Sequence, residues 1–183
     1  MTKLYSDLSF SMTVKIGIVS GLVGGFAIFL SIFMIDFGLN AGQGTFYKVV
    51  GLPLGISGTP AILAGMILHM LTAALVGMTF GVCSCLHRKL RIFSFGRGVI
   101  SGTITGLVVF FAFFIPISSI LMIPAIQSSD AVVGDPGKVL ANTYLIMSGA
   151  LELHVVYGIA MGGFFAIAIQ HESKKQKMLH ASV

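Results

Sequence analysis

The sequence predicts an all-α polytopic membrane protein: four transmembrane helices set as two tandem, parallel helical hairpins, with both termini cytoplasmic. Three observations lead there. The composition is too apolar for a soluble domain, four apolar stretches have spanning length, and the first two resemble the last two. Of 183 residues, 56% are hydrophobic and 9% charged, whereas a soluble domain carries about a quarter charged residues. The mean hydropathy is +0.99. Twenty-three glycines and no tryptophan suit helices packed closely in lipid, where small residues let backbones approach.

A hydrocarbon core about 30 Å thick needs about 20 apolar residues at 1.5 Å each. The first stretch, 16–35, lies between Lys15 and Asp36 with no charge inside it. Its apolar run exceeds a signal-peptide core and no small-residue cleavage pattern follows, so it is expected to be retained. The second, 60–86, has Thr59 as N-cap and Pro60 at the first helical position, where a missing N–H costs nothing. The third, 98–126, is longer than a span requires and carries Pro116 and Pro124, which predicts tilt, a kink or an early end. The fourth, 144–170, alone contains a formal charge, Glu152. Residues 1–183 are read as one membrane domain, with repeats at 15–89 and 96–175.

Basic residues orient the bundle. Lys3 and Lys15 precede the first span, Arg88, Lys89, Arg91 and Arg97 separate the second from the third, and Lys174, Lys175 and Lys177 follow the fourth. These are nine of eleven; Lys48 and Lys138 fall on the other side. The positive-inside rule then makes both termini cytoplasmic, in a cell membrane. The net charge of +5 reads as a topology signal, and nucleic acid is not an expected partner. Cys83 and Cys85 fall on the reducing side, which argues against a disulfide. Cys83 and His87, four apart, suit interfacial packing better than a soft-metal pair.

GIVSGLVGGFAIFL at 17–30 matches GVISGTITGLVVFF at 98–111 in three glycines, a serine and a phenylalanine. LHMLTAALVG at 68–77 matches LHVVYGIAMG at 153–162 through Leu-His and a glycine eight residues after the histidine. Two spans per repeat give both halves one orientation, with a symmetry axis along the membrane normal. Gly17, Gly21 and Gly25, Gly98, Gly102 and Gly106, Gly77 and Gly81, and Gly158 and Gly162 form small-xxx-small packing stripes on the cytoplasmic side. Phe26, Phe29, Phe33, Phe110, Phe111, Phe113 and Phe114 fall in the outer half, where they would fill a wider end or line a cleft.

His154 precedes the boundary residue His171 by 17 residues, about 26 Å of helix, and His69 precedes His87 by 18, about 27 Å. With Asp36 and Glu152 they form an expected outer polar layer, a place for a metal such as zinc, iron or copper, or for a proton path. The competing reading is a pair of interhelical hydrogen-bonding groups. No resident cofactor is expected beyond that metal reading. Glu152 and His154 differ by about 200° around the axis at 100° per residue, so His154 is placed inward with His69 and Glu152 outward. Phe46, Tyr47 and Lys48 suit an interfacial or re-entrant segment over the open end, and Asp130 and Asp135 read as solvated.

His-Val-Val-Tyr-Gly at 154–158, with TPAILAGMILHM and the glycine-rich starts of spans one and three, resembles small four-helix bacterial and archaeal membrane proteins that share a His-x-x-Tyr-Gly pattern in the last span. The resemblance implies the four-span plan, with His69, His154, Tyr157, Gly158 and Gly162 at the matching positions; it carries no activity or site. The chain has no phosphate-binding glycine loop, no paired zinc cysteines and no HExxH. The expectation is therefore a non-catalytic protein in the lipid bilayer, an accessory subunit of a larger membrane complex such as an oxidase or monooxygenase assembly. The alternative is a small carrier or channel for protons, metal ions or small amines, with a homo-oligomer as one arrangement.

Overall fold

A computed structural model describes residues 8–38, 40, 42–128 and 143–181. Lys3, Asp130, Asp135 and Lys138 lie outside the described residues. Four helices are long and apolar enough to cross a membrane, and no strand occurs among the described residues. We label them α1 (Phe10–Gly38), α3 (Gly58–Leu86), α4 (Phe95–Gln127) and α5 (Thr143–Ala181), with the short α2 (Thr45–Gly51) between α1 and α3.

The helix ends depart from the apolar counts in instructive ways. α3 starts at Gly58 with Ser57 as N-cap rather than Thr59. Pro60 therefore falls at the third helical position, still within the first turn, where backbone N–H groups have no intrahelical partner. α5 runs past its apolar section to Ala181, so the charged segment from His171 onward extends the helix beyond the length a bilayer needs.

α4 neither ends nor breaks at its prolines. Instead, five-residue π turns occur at Phe110–Phe114 and Ser118–Met122. The N–H groups of Ile115 and Ile123, the residues just before Pro116 and Pro124, bond the carbonyls of Phe110 and Ser118 five positions back. A proline removes one ladder bond and crowds the carbonyl four positions back; widening the preceding turn lets the helix pass.

Side-chain placement is inverted relative to a soluble bundle. Ile67, Leu71 and Leu75 on α3 and Ile100, Ile104 and Val108 on α4 are exposed at four-residue spacing, as lipid-facing stripes require. Thr13, Ser20 and Ser84 are buried, and Ser20 Oγ satisfies itself on the Ile16 carbonyl at 2.6 Å.

The helices associate in two main pairs, α1 with α3 and α4 with α5, and α1 joins the pairs by packing on α5. Glycines set both pair contacts. A Cβ on Gly17, Gly21 or Gly77 would strike the backbone of the opposite helix, as would one on Gly98, Gly102, Gly106, Gly158 or Gly162. Gly81 lies against Gly17 and the Thr13 carbonyl, whereas Gly25 meets the Ala73 and Met70 side chains. α1 approaches α5 through Gly24, whose added Cβ would lie 2.8 Å from the Tyr157 ring.

α3 and α4 form no extended contact of their own. Only at one end are they bridged, where Val49 of α2 and Leu52 of the following turn cluster with Met122 and Ile126 of α4. α2 rides on α3 backbone to backbone: a Cβ at Gly65 would strike the Tyr47 carbonyl, and one at Gly51 the Ala61 carbonyl.

Candidate functional site

The gap between α3 and α4 is a place where polar side chains from both hairpins and empty space coincide. One cavity of about 180 Å³ is lined by His69 of α3, His154 of α5, Phe46 of α2 and Phe113 and Phe114 of α4, among others. A second, of about 410 Å³, continues along the α3/α4 gap to Cys83 and shares Thr72, Val109, Phe113 and Ile117 with the first. From Leu68 to Cys83 the two follow α3 for about 22 Å.

The histidines are held differently. His69 Nε2 donates to the Gly25 carbonyl of α1 at 3.3 Å, an interhelical bond, while His154 Nδ1 donates to the Ala150 carbonyl of its own helix at 2.7 Å. A carbonyl only accepts, so in each ring that nitrogen carries the hydrogen. The neutral ring then keeps Nδ1 of His69 and Nε2 of His154 as lone-pair acceptors. Aromatic edges fix both rings: Tyr47 lies 5.6 Å from His69, and Phe110 and Phe114 lie 5.4 and 5.1 Å from His154, centroid to centroid.

Asp36 and Glu152 do not line this cavity. Asp36 is buried, and its Oδ2 accepts the backbone N–H groups of Gly44 at 2.8 Å and Thr45 at 3.1 Å. That is a helix cap delivered from a distance. Gly44, the N-cap of α2, has φ 84° and no side chain to cap with, so the carboxylate at the end of α1 satisfies donors that α2 leaves open. Glu152 is exposed. Among the described residues no group of three or more His, Cys, Asp or Glu stands ready to hold a metal. The four residues of the expected outer layer thus divide into a cavity pair, a cap and an outward side chain. Cys83 is exposed, and His87 Nδ1 accepts the Lys89 N–H at 3.2 Å beyond the end of α3.

Two tyrosines that the sequence offered only as a motif position and an interfacial residue are both buried. Tyr157 of α5 donates to the Ala73 carbonyl of α3 at 2.9 Å. The bond runs from one helix pair to the other, and its signal in the sequence is a tyrosine in a glycine-rich apolar helix, whose hydroxyl needs a partner. Tyr47 is fully buried, and its hydroxyl has no partner among the described residues. Burial, with the Asp36 carboxylate nearby, pushes its phenol well above the usual tyrosine range, so it stays protonated. No protein-family model, curated protein sequence or solved structure matches the chain.

Proposed function

We propose that the chain is a non-catalytic carrier in a cell membrane, with both termini cytoplasmic, whose cargo enters between two equivalent hairpins and meets His69 and His154. The observation that carries this reading is the shared cavity: one histidine from each hairpin lines it, and it opens into a gap that α3 and α4 leave between them. The equivalence of the hairpins is supported by matching glycine contacts. Gly17 meets Gly77 and Gly81 in one pair, as Gly98 meets Gly162 and Ala166 in the other. The hairpins join through α1 on α5, the Tyr157 clasp, the Phe80–Phe165 ring contact and the α2 bridge to α4, while α3 and α4 stay apart, and the two halves can rock about that join, as in carriers built from repeats.

An accessory subunit of a larger complex draws support only from exposed apolar faces, which every lipid-facing helix has. The cavity discriminates better. The test is flux in liposomes for protons, divalent metal ions, small amines and membrane-soluble amphiphiles, with wild type and the His69→Ala/His154→Ala variant. Protein-dependent flux that the double substitution abolishes is the expected result. Flux of all four no greater than in protein-free liposomes, together with native purification that brings down another membrane polypeptide, overturns the carrier reading in favour of the subunit.

A further inference from the structure

The chemistry of the cavity narrows what it takes. Both histidines that line it keep a ring nitrogen that accepts and carries no hydrogen, His69 Nδ1 and His154 Nε2 in the neutral rings, and neither has a partner among the described residues. A ligand head must therefore donate. A cationic amine would donate, but no carboxylate lines the cavity: Asp36 is committed to Gly44 and Thr45, and Glu152 is exposed. An unpaired buried charge is far more costly than a neutral hydroxyl that gains a hydrogen bond. A carboxylate head would set acceptor against acceptor. Zinc asks for three or four ligands, and two histidines fall short.

Volume selects the rest of the ligand. A transmembrane helix filling the 22 Å of the gap would occupy about 1,700 Å³ at a 10 Å diameter. The cavity of about 410 Å³ instead falls well short of a helix and suits a slender ligand such as one hydrocarbon chain. Its walls are apolar apart from Thr72, Thr79, Cys83 and Thr105, and the hydroxyls of Thr72 and Thr79 are spent on the carbonyls of Leu68 and Leu75.

We infer that the histidine cavity and the α3/α4 cleft together bind one single-chain amphiphile with an uncharged, hydroxyl-bearing head, the head at His69 and His154 and the tail along the cleft. This deepens the carrier reading by naming its cargo class. The site also stands without transport.

The test uses full-length protein in phosphatidylcholine nanodiscs and a 14-carbon primary alcohol with a photoactivatable diazirine in its chain. Labelled peptides are mapped by mass spectrometry, and unlabelled tetradecanol, tetradecyl methyl ether, tetradecylamine and tetradecanoic acid compete. The expected labels fall on α3 within 72–83 and α4 within 105–117. Tetradecanol should compete about two- to tenfold better than the methyl ether, the value of one net hydrogen bond. In His69→Phe/His154→Phe that advantage should vanish while labelling persists. Thr79→Trp, at an exposed position that lines the tail cleft, should lower labelling and leave the histidines intact. An ether equal to the alcohol, a preference for amine or acid, displacement by zinc ion alone, or labels outside the cleft overturns the inference. Alcohol binding without flux supports the site and defeats the carrier; flux of ions or amines without alcohol binding does the reverse.

Discussion

Gly21→Ala tests whether direct backbone contact holds α1 to α3. A Cβ there would lie 2.9 Å from the Gly77 Cα, and closer still to the Ala73 carbonyl oxygen, where ordinary contact starts at 3.4 Å. Both obstacles are backbone, so no rotamer change relieves them and the helices must separate by half an ångström or more. Overpacking of this kind costs about 1–3 kcal/mol. Alanine also gains up to about 1 kcal/mol over glycine in helix propensity, which would mask part of the loss. Gly149→Ala provides the correction, because its Cβ meets nothing within 4 Å and its propensity gain is similar. The difference between the two variants therefore isolates packing: about 1–3 kcal/mol, or about five- to 150-fold in the folded ratio at 1.4 kcal/mol per tenfold. The assay is reversible unfolding in mixed micelles, with sodium dodecyl sulfate titrated into a mild detergent and helicity followed by circular dichroism. Gly102→Ala, with its Cβ 2.8 Å from the Gly162 Cα, should lose as much as Gly21→Ala. Equal midpoints for Gly21→Ala and Gly149→Ala would refute the reasoning.

Three further outcomes follow from single contacts. Asp36→Ala uncaps α2 and should cost about 0.5–2 kcal/mol, with amide exchange rising at 45–51 and not in α5; unchanged exchange there would remove Asp36 from its capping role. Tyr47→Phe deletes a buried hydroxyl without a partner, so stability at neutral pH should hold or rise. Because folding raises that phenol above its unfolded value of about 10, its contribution is complete below pH 10 and is lost as pH rises through the folded value. The variant should accordingly resist alkaline unfolding better than wild type, and a lower alkaline midpoint would contradict this. Tyr157→Phe removes the bond to the Ala73 carbonyl and should cost about 0.6 kcal/mol, the average for hydrogen bonds between membrane helices. A loss several times larger in the same unfolding assay would mean that the clasp holds more than one bond.

Much of the architecture is legible in one dimension because each signal is local. Apolar length marks a membrane helix whatever its neighbours do, and glycine at four-residue spacing marks a face where another backbone can come close. The proline segment was harder. Pro116 and Pro124 predict trouble within α4, but whether a helix ends or widens depends on how the turn before each proline rearranges, and here the N–H of the residue before each proline bonds five positions back. The expected polar layer was legible only in part. Counting along helices puts Asp36, His69, Glu152 and His154 at one depth, yet depth says nothing about rotation or about which backbone donors stand opposite. Helical phase separates Glu152 from His154. No count along the sequence leads from Asp36 to the open N–H groups of Gly44 and Thr45 eight and nine residues on, because the turn between them sets that meeting.

The sequence by itself determined the number of the apolar helices and the glycine faces, since these follow from composition and from periods of about four residues. Tertiary structure alone decided that α3 and α4 stay apart while α1 and α5 close the bundle, that α2 lies across α3, and that the two histidines line a shared cavity. Those features depend on which surfaces meet among residues 44 to 85 positions apart, such as Gly25 with His69, Ala73 with Tyr157, and His69 with His154. A cavity is what packing leaves unfilled, and no single segment encodes it.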